Sequence, residues 1–227
     1  MQILYEDDYI IAVNKPHGLL VHKTNLAIDA KEFALQKLSA QIGKQVHPAH
    51  RLDRKTSGVL LFTFNREENG KFQRLFREKE IEKTYLAIVR GYTEEDGTID
   101  YALTNVDGKT QEAVTHYQTL KRTEVDIPLG KHPTSRYSLV EVTPETGRMH
   151  QIRKHFAHLR HPIIGDRKHG CNKQNRFFKQ QWNMTTMLLH AQKLAFIHPI
   201  TQKKIEITAP LHEEFNRVLE FLQFKGE

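Results

Sequence analysis

The stretch His50-Arg51-Leu52-Asp53-Arg54-Lys55-Thr56-Ser57-Gly58 leads directly into the apolar segment Val59-Leu60-Leu61-Phe62. The apolar segment predicts a buried strand, and the Thr-Ser-Gly triplet before it predicts a turn. Asp53 lies between two arginines, and a cation within a few Å favours the ionised form of a carboxylate. An ionised, fixed aspartate can act as a nucleophile, a base or an electrostatic clamp, whereas most charged surface loops serve turn formation or solubility. Asp53 is therefore a candidate catalytic residue with a structural alternative.

The positive charge of the chain is concentrated in one segment. The 227 residues, enough for one domain with a sizeable core, carry 34 Lys and Arg against 27 Asp and Glu, a net charge of +7. Residues 147–183 hold nine Lys or Arg and a single acid, Asp166, so this basic segment carries +8 and the rest of the chain −1. Because a solvated surface usually mixes both signs, a one-sided segment predicts binding to the phosphates of a polyanion.

Several classes of protein are disfavoured by features that the sequence lacks. Cys171 is the only cysteine, so there is neither a disulfide framework nor a thiolate metal site. No apolar run approaches 18 residues and no secretion signal is evident, so we expect a cytoplasmic protein that does not contact the membrane. The nucleotide-binding patterns GxxxxGK[ST] and GxGxxG and the nucleophile pattern GxSxG are also missing.

A group of histidines in the basic segment raises the question of a metal site. The group comprises His150, His155, His158 and His161. No carboxylate stands at a useful spacing from them, the HExxH pattern is absent, and the neighbouring Lys and Arg would repel a cation. We therefore expect no metal.

The pattern of apolar residues favours an α+β fold with a mostly antiparallel sheet. Strands outnumber helices and do not alternate strictly with them. Strands are predicted at 3–5, 9–13, 58–64, 83–91, 98–103, 111–120, 136–143, 187–197 and 204–208, with helices at 30–42, 66–78, 147–161 and 211–222. Asp29 is the expected cap of the first helix. The segments 121–135 and 165–185 are predicted to be flexible loops.

Three further residues are candidates for a site. Tyr85 lies in the middle of a predicted strand, where a half-buried core tyrosine is the alternative interpretation. His150 and Arg153 are three residues apart on a predicted helix. Arg153 follows the apolar Ile152 and could reach inward towards an acidic partner, although an ordinary basic surface helix would show the same pattern. The residues alone thus leave open an RNA- or DNA-modifying enzyme, a nucleic-acid-binding module and, less favoured, a metal-dependent phosphodiesterase.

The chain resembles the RluA-type pseudouridine synthases. The first stretch matches their HRLDxxTSG signature, and the other matching segments follow in order along nearly the whole chain. These segments are Val13–Gly18, Lys83–Gly91, Gly147–Asp166, Leu188–Ala191 and His198-Pro199. Residues 159–170 and 174–176 most resemble a subgroup that modifies uridine 65 in the T-stem region of tRNA. As in that subgroup, the S4-type RNA-binding extension common in the family is absent, so one catalytic domain over 1–227 is expected.

The resemblance implies a fold, a reaction and a set of site residues. The fold would be the pseudouridine synthase fold, with a mixed, mostly antiparallel central sheet flanked by helices and loops. Asp53 would be the catalytic carboxylate, Arg153 its basic partner and Tyr85 the aromatic residue that stacks on uracil, while Arg51 would assist nucleotide flipping. RNA-binding residues would be Arg51, Arg54, Arg148, His150, Lys154, Lys168 and Arg176. The isomerisation of uridine needs no cofactor, and we expect a monomer acting on tRNA or, alternatively, on ribosomal RNA.

Overall fold

The fold is α+β, as the sequence predicts. The computed structural model describes residues 1–22, 32–129 and 133–224, and these residues form twelve strands and five helices. The strands are β1 Gln2–Glu6, β2 Ile10–Lys15, β3 His47–Pro48, β4 Ser57–Thr63, β5 Glu82–Arg90, β6 Asp96–Asp100, β7 Leu103–Thr104, β8 Thr110–Gln111, β9 Val114–Val125, β10 Ser135–Pro144, β11 Leu189–Ile197 and β12 Lys204–Thr208. The helices are α1 Ala34–Ile42, α2 Arg66–Arg77, α3 Gln151–His158, α4 Asn172–Trp182 and α5 Glu213–Phe221.

The chain divides into two compact units. The first comprises Met1–Lys83 with Ala191–Pro210, and the second comprises Thr84–His190 with Leu211–Glu227. None of the helices in the described ranges is long and apolar enough to cross a membrane.

In the first unit, strand β4 is the centre of the packing. Its seven residues are all buried, and the order of strands around it is β1-β2-β4-β11, with β3 on β4 and β12 on β11. Val59 and Leu61 of β4 pack with Phe72 and Leu75 of α2 in one apolar cluster. A strand that is apolar on both faces must be covered on both, which explains the continuous run of four apolar residues after the Asp53 stretch.

In the second unit, alternate side chains of β5 pack against different helices. The sheet here has the antiparallel order β5-β10-β9-β6. Leu86 and Ile88 pack in a cluster with residues of α4 and α5, whereas Ala87 and Val89 pack in a cluster with residues of α3. Successive side chains of a strand point to opposite faces, so one strand separates the two helical layers.

Two predicted loops are wrong in part. Within 121–135, β9 continues to Val125 and β10 begins at Ser135, so only the middle of that segment is a connection. Within 165–185, residues 172–182 form α4, which buries Gln174 and Phe178 at a spacing of four. High polarity concealed the end of β9, the start of β10 and the whole of α4, because exposed faces dominate these sequences. The first predicted helix begins at Ala34 and is preceded by Phe33, while Asp29, its expected cap, lies outside the described residues.

Gly58 should be intolerant of even a methyl group. Its φ of +109° is in a region that L side chains rarely adopt, and a Cβ there would lie 2.0 Å from the carbonyl oxygen of Ala191. We expect Gly58→Ala to destabilise the protein by about 3 kcal/mol or more, from combined backbone strain and steric overlap. Urea denaturation would measure the change.

Gly70→Ala is the matched control, because Gly70 lies in α2 and a methyl group added to it would have nothing within 4 Å. That variant should be neutral or gain up to about 1 kcal/mol. Equal effects of the two substitutions would contradict the assignment of Gly58 as a site of close backbone approach.

Candidate active site

The loop between β3 and β4 carries Asp53 and is closed by its own backbone. The carbonyl oxygen of Asp53 accepts a hydrogen bond from the Thr56 amide at 3.1 Å, so the turn lies at Arg54-Lys55. The turn predicted at the Thr-Ser-Gly triplet is wrong, because Ser57 and Gly58 already belong to β4. Leu52 is buried and anchors the loop, while Asp53 itself is half-buried and Arg51 and Arg54 are exposed. The aspartate is therefore held at a fixed point with access to solvent.

A buried lysine holds this loop from behind. Lys15 is fully buried, and its Nζ donates to the carbonyl oxygens of Pro16 at 3.0 Å, Leu19 at 2.8 Å and Arg54 at 3.3 Å. Burial lowers the pKa of the Lys15 ammonium to about 7, and the negative charge of Asp53 opposes that shift. Three acceptor carbonyls match the three protons of an ammonium group, so the geometry favours the charged form.

The loop after β2 and the Asp53 loop are joined by two further hydrogen bonds. The Gly18 amide donates to the carbonyl oxygen of Arg54 at 2.8 Å, and Nε of Arg54 donates to the carbonyl oxygen of Gly18 at 3.1 Å. Arg54, expected to bind RNA, thus also fastens the loop. The loop after β2 and the Asp53 loop form one hydrogen-bonded block within the first unit.

His50, the first residue of the signature, is a structural anchor. Its Nε2 accepts a hydrogen bond from the Leu61 amide at 3.1 Å, and its ring stacks on Phe76 with 4.5 Å between ring centres. Burial, aided by the positive charge of Lys83 and opposed by a hydrogen bond with the Arg51 backbone, lowers the pKa of His50 to about 3. The imidazole is therefore neutral at physiological pH, with its proton on Nδ1 because Nε2 is an acceptor.

In the second unit, Arg153 of α3 meets Asp166. Its Nε donates to Oδ2 of Asp166 at 2.7 Å and its Nη2 donates to Oδ1 at 2.9 Å, with side-chain exposures of 7% and 1%. Burial alone would raise the pKa of the Asp166 carboxyl, but the hydrogen bond and charge of Arg153 and the amides of His169 and Lys168 outweigh it and hold the pKa below its ordinary value. The inward reach predicted for Arg153 is confirmed, and within this unit its acidic partner is Asp166.

The residue before α3 departs from the prediction that His150 and Arg153 share a helix. His150 precedes the first helical residue and has a left-handed backbone with φ of 59°. Its Nδ1 lies 2.9 Å from Nε2 of His169, so the two imidazoles share a hydrogen bond. Among the described residues, no group of three His, Cys, Asp or Glu side chains is arranged to hold a metal ion.

The other predicted RNA-binding residues fall into two groups. Arg148 donates from Nε to the carbonyl oxygen of Glu112 at 3.0 Å, and Lys154 donates from Nζ to that of Thr104 at 3.1 Å. Both therefore fasten the segment around β7 and β8 within the second unit. Lys168 and Arg176, in contrast, are exposed, and Arg176 lies on the exposed face of α4.

Tyr85 occupies the middle of β5, where its Cα is paired with that of Val142. Its side chain is partly buried and packs against the cluster that contains Ala87 and Ile152. A half-buried position satisfies both interpretations of this tyrosine, since one face of the ring can pack while the other stays accessible.

Sequence reasoning missed three residues of this arrangement. Lys15 was noted only as part of a matching segment, His50 only as part of the signature, and Asp166 only as the single acid of the basic segment. Two signals could have identified Lys15 and Asp166. A lysine at the end of an apolar strand needs hydrogen-bond acceptors if it is buried. A single acid among nine cations is a natural partner for any of those cations that becomes buried.

Comparison with known proteins places the chain in a family. Residues 9–158 match the family model described as RNA pseudouridylate synthase. The chain belongs to this family. The resemblance to RluA-type pseudouridine synthases is thereby confirmed, and the family is one of isomerases.

Curated relatives match the synthase over its full length. It is 43% identical over 238 residues to the tRNA pseudouridine synthase C of Vibrio parahaemolyticus, covering 100% of this chain and 96% of the relative. It is 46% identical over 234 residues to the protein of that name from Haemophilus ducreyi, covering 99% and 96%. Among solved structures, human RNA Pseudouridylate Synthase Domain Containing 4 has a TM-score of 0.74 at 25% identity, covering 98% of this chain and 93% of that one. The fold is the pseudouridine synthase fold.

Because His50 is neutral in the folded protein, the free energy of unfolding of the synthase should decrease as the pH is lowered. Because its pKa is lowered in the folded state, the unfolded chain takes up the proton first, near pH 6.5. The stability that depends on the neutral imidazole is complete above that pH and is lost progressively towards pH 3. We expect wild type to lose about 2 kcal/mol more than His50→Gln between pH 7.5 and pH 5, measured by urea denaturation at both values. Identical pH dependence of the two proteins would contradict this assignment.

Proposed function

We propose that this synthase isomerises a uridine of tRNA to pseudouridine, and that the target is uridine 65. The supporting observation is the full-length match, at 43% and 46% identity, to relatives that carry the name tRNA pseudouridine synthase C. Both comparisons cover almost all of each protein, so the likeness includes the basic segment as well as the signature.

In the proposed reaction, the C1′–N1 bond of uridine breaks, the uracil turns, and a C1′–C5 bond forms. The proton on C5 is lost and N1 gains one, so the product is an isomer of the substrate. Asp53 is the carboxylate that drives cleavage of the glycosidic bond, since such a step needs a carboxylate to attack or stabilise an electron-poor centre. Because no electron or group enters or leaves overall, the reaction requires no cofactor.

The neighbours of Asp53 fit this task. The Lys15 ammonium lies in a buried position, and the negative charge of Asp53 acts to raise the pKa of Lys15, so the two groups attract each other. Arg153 is the basic partner of Asp53, following the match of its segment to the family pattern. Tyr85 stacks on the uracil and assists removal of the C5 proton.

Access to the uridine requires that the nucleotide leave its helical stack. Extrusion costs a few kcal/mol, which RNA contacts must supply. Arg51, exposed beside Asp53, has a planar guanidinium that can stack in the vacated position or contact phosphate. The basic segment supplies further phosphate contacts, because Arg153 and Asp166 cancel each other and eight cations remain.

We further infer that the synthase acts as a monomer in the cytoplasm. One bound stem requires only one carboxylate and one basic surface, and the free thiol of Cys171 suits a reducing compartment.

Replacement of the carboxylate should separate chemistry from binding. Asp53→Asn keeps the size of the side chain and removes its charge, so we expect pseudouridine formation to fall by on the order of a thousandfold or more. Affinity for tRNA should stay within about threefold, because phosphate contacts dominate it. Nucleoside analysis of a tRNA transcript after reaction measures the first quantity, and filter binding measures the second. Wild-type activity in Asp53→Asn would contradict the role of this residue, and a wild-type protein inactive on every RNA would favour a binding module.

Mapping of pseudouridine identifies the target. RNA from a strain that lacks the protein should lose one modification, at uridine 65 of tRNA. Loss of a ribosomal RNA site instead would support the alternative substrate class, for which the catalytic residues are equally suited.

The exposed cations of the basic segment should set the salt dependence of binding. Lys168→Ala with Arg176→Ala should weaken tRNA binding and reduce the slope of log K against log salt by roughly one for each phosphate that the protein no longer neutralises. Lys203→Ala with Lys204→Ala is the matched control, since it removes the same charge from exposed positions outside the segment. Equal slopes for the two double variants would exclude the segment as the RNA-binding surface.

A further inference from the structure

The carboxylate of Asp166 is saturated with donors that all fix its position. Oδ1 accepts from Nη2 of Arg153, from the Lys168 amide at 2.9 Å and from the His169 amide at 3.1 Å. Oδ2 accepts from Nε of Arg153 at 2.7 Å. With 1% of its side chain exposed, Asp166 has no access to solvent that would let it rearrange.

The backbone of Asp166 is held as firmly as its side chain. Nδ2 of Asn175 donates to the carbonyl oxygen of Asp166 at 2.8 Å, while Oδ1 of Asn175 accepts from the Gly165 amide at 2.8 Å. A Cβ on Gly170 would lie 2.0 Å from that same carbonyl oxygen. Helix α4, through Asn175, therefore fixes the turn that presents the carboxylate to α3.

This arrangement determines the orientation of the Arg153 guanidinium. An arginine has four side-chain torsions and, unconstrained, many rotamers. Two parallel hydrogen bonds along the Nε–Nη2 edge define both the plane and the rotation of the group. Nη1 is then directed away from Asp166, at a position set by α3 and the 163–170 turn together.

The pairing also balances charge. An unpaired guanidinium buried to this degree would be costly, and it would strongly attract any nearby anion. Paired with Asp166, Arg153 acts as an oriented hydrogen-bond donor with little net charge in the pair. Such a donor can hold a second carboxylate in place by a hydrogen bond. The charge of the guanidinium is balanced by Asp166, so the second carboxylate keeps its reactivity.

We propose that Asp166 is a positioning residue for catalysis, acting through Arg153. The proposal rests on the proposed function, in which Arg153 assists Asp53. The contrasting possibility is that the ion pair only stabilises the second unit, in which case its loss would lower the folded fraction and leave the rate of folded molecules unchanged.

The first test compares kcat with KM in Asp166→Asn and Asp166→Glu. We expect kcat of Asp166→Asn on a tRNA transcript to fall about a hundredfold with KM within about threefold, because a misplaced catalytic group costs rate more than binding. Asp166→Glu keeps the charge but displaces the carboxylate, so its kcat should fall about tenfold, less than that of Asp166→Asn. A folded Asp166→Asn with wild-type kcat would overturn the proposal.

A control variant separates carboxylate loss from loss of stability. Tyr137→Phe removes the buried hydrogen bond from the Tyr137 hydroxyl to Gln174, at 2.7 Å in the same unit. It should lower the melting temperature and leave kcat within about threefold. If Tyr137→Phe lost as much kcat as Asp166→Asn, destabilisation of the unit would explain the effect and the proposal would fail.

The second test is a double-variant cycle with Arg153→Gln. If Asp166 acts through Arg153, adding Asp166→Asn to Arg153→Gln should reduce kcat by less than about twofold. A further hundredfold loss would overturn the proposal. Should Asp166→Asn fail to fold, Asp166→Glu decides alone: lowered kcat at constant KM supports the proposal, and wild-type kcat refutes it.

The cycle also distinguishes this inference from the function on which it rests. Full activity in Arg153→Gln would remove Arg153 from the proposed mechanism. An inactive Arg153→Gln together with a fully active Asp166→Asn would leave that mechanism intact and refute only the role of Asp166.

Discussion

The arrangement of both candidate regions depends on the cost of removing a charge from water. An ionised group in a protein interior is tolerated only when its protons or lone pairs are taken up by partners. Lys15 meets this condition with three carbonyl oxygens, one of which belongs to the residue after Asp53. Arg153 meets it with both oxygens of Asp166. For Lys15 the Arg54 carbonyl, and for Arg153 the Asp166 carboxylate, lies in a separate loop, so pairing the charge also fixes that loop.

The apolar pattern made most of the elements predictable. The run after Asp53 predicted β4, and residues at helical spacing predicted α2 within one residue of its observed end. Strands β11 and β12 were likewise predicted, to within two residues at each end. These elements bury apolar residues at a regular spacing, and that spacing is visible in the sequence.

The errors occur where exposed polar residues outnumber buried ones. Helix α4 buries only two of its eleven residues, Gln174 and Phe178, and it was predicted as part of a loop. The ends of β9 and β10 beyond the core are similarly polar. They pair with each other through backbone hydrogen bonds, which do not require apolar side chains. The partner of Arg153 was not predicted either. Asp166 is the single acid of the basic segment, but the separation of thirteen residues gives no indication that the turn after α3 folds back on this helix.

Stability alone does not explain why such groups are buried. Apolar residues of similar volume often replace a buried ion pair without loss of stability, so a buried pair is weak evidence for a role in folding. The interior of this protein nevertheless keeps a lysine beside Asp53 and an arginine fixed by Asp166. Both cations occur in segments that match the family pattern, and a lysine whose pKa is lowered as far as that of Lys15 is typical of functional sites. The hydrogen-bond partners of these two cations are therefore better understood as supports for chemistry than as contributions to the stability of the fold.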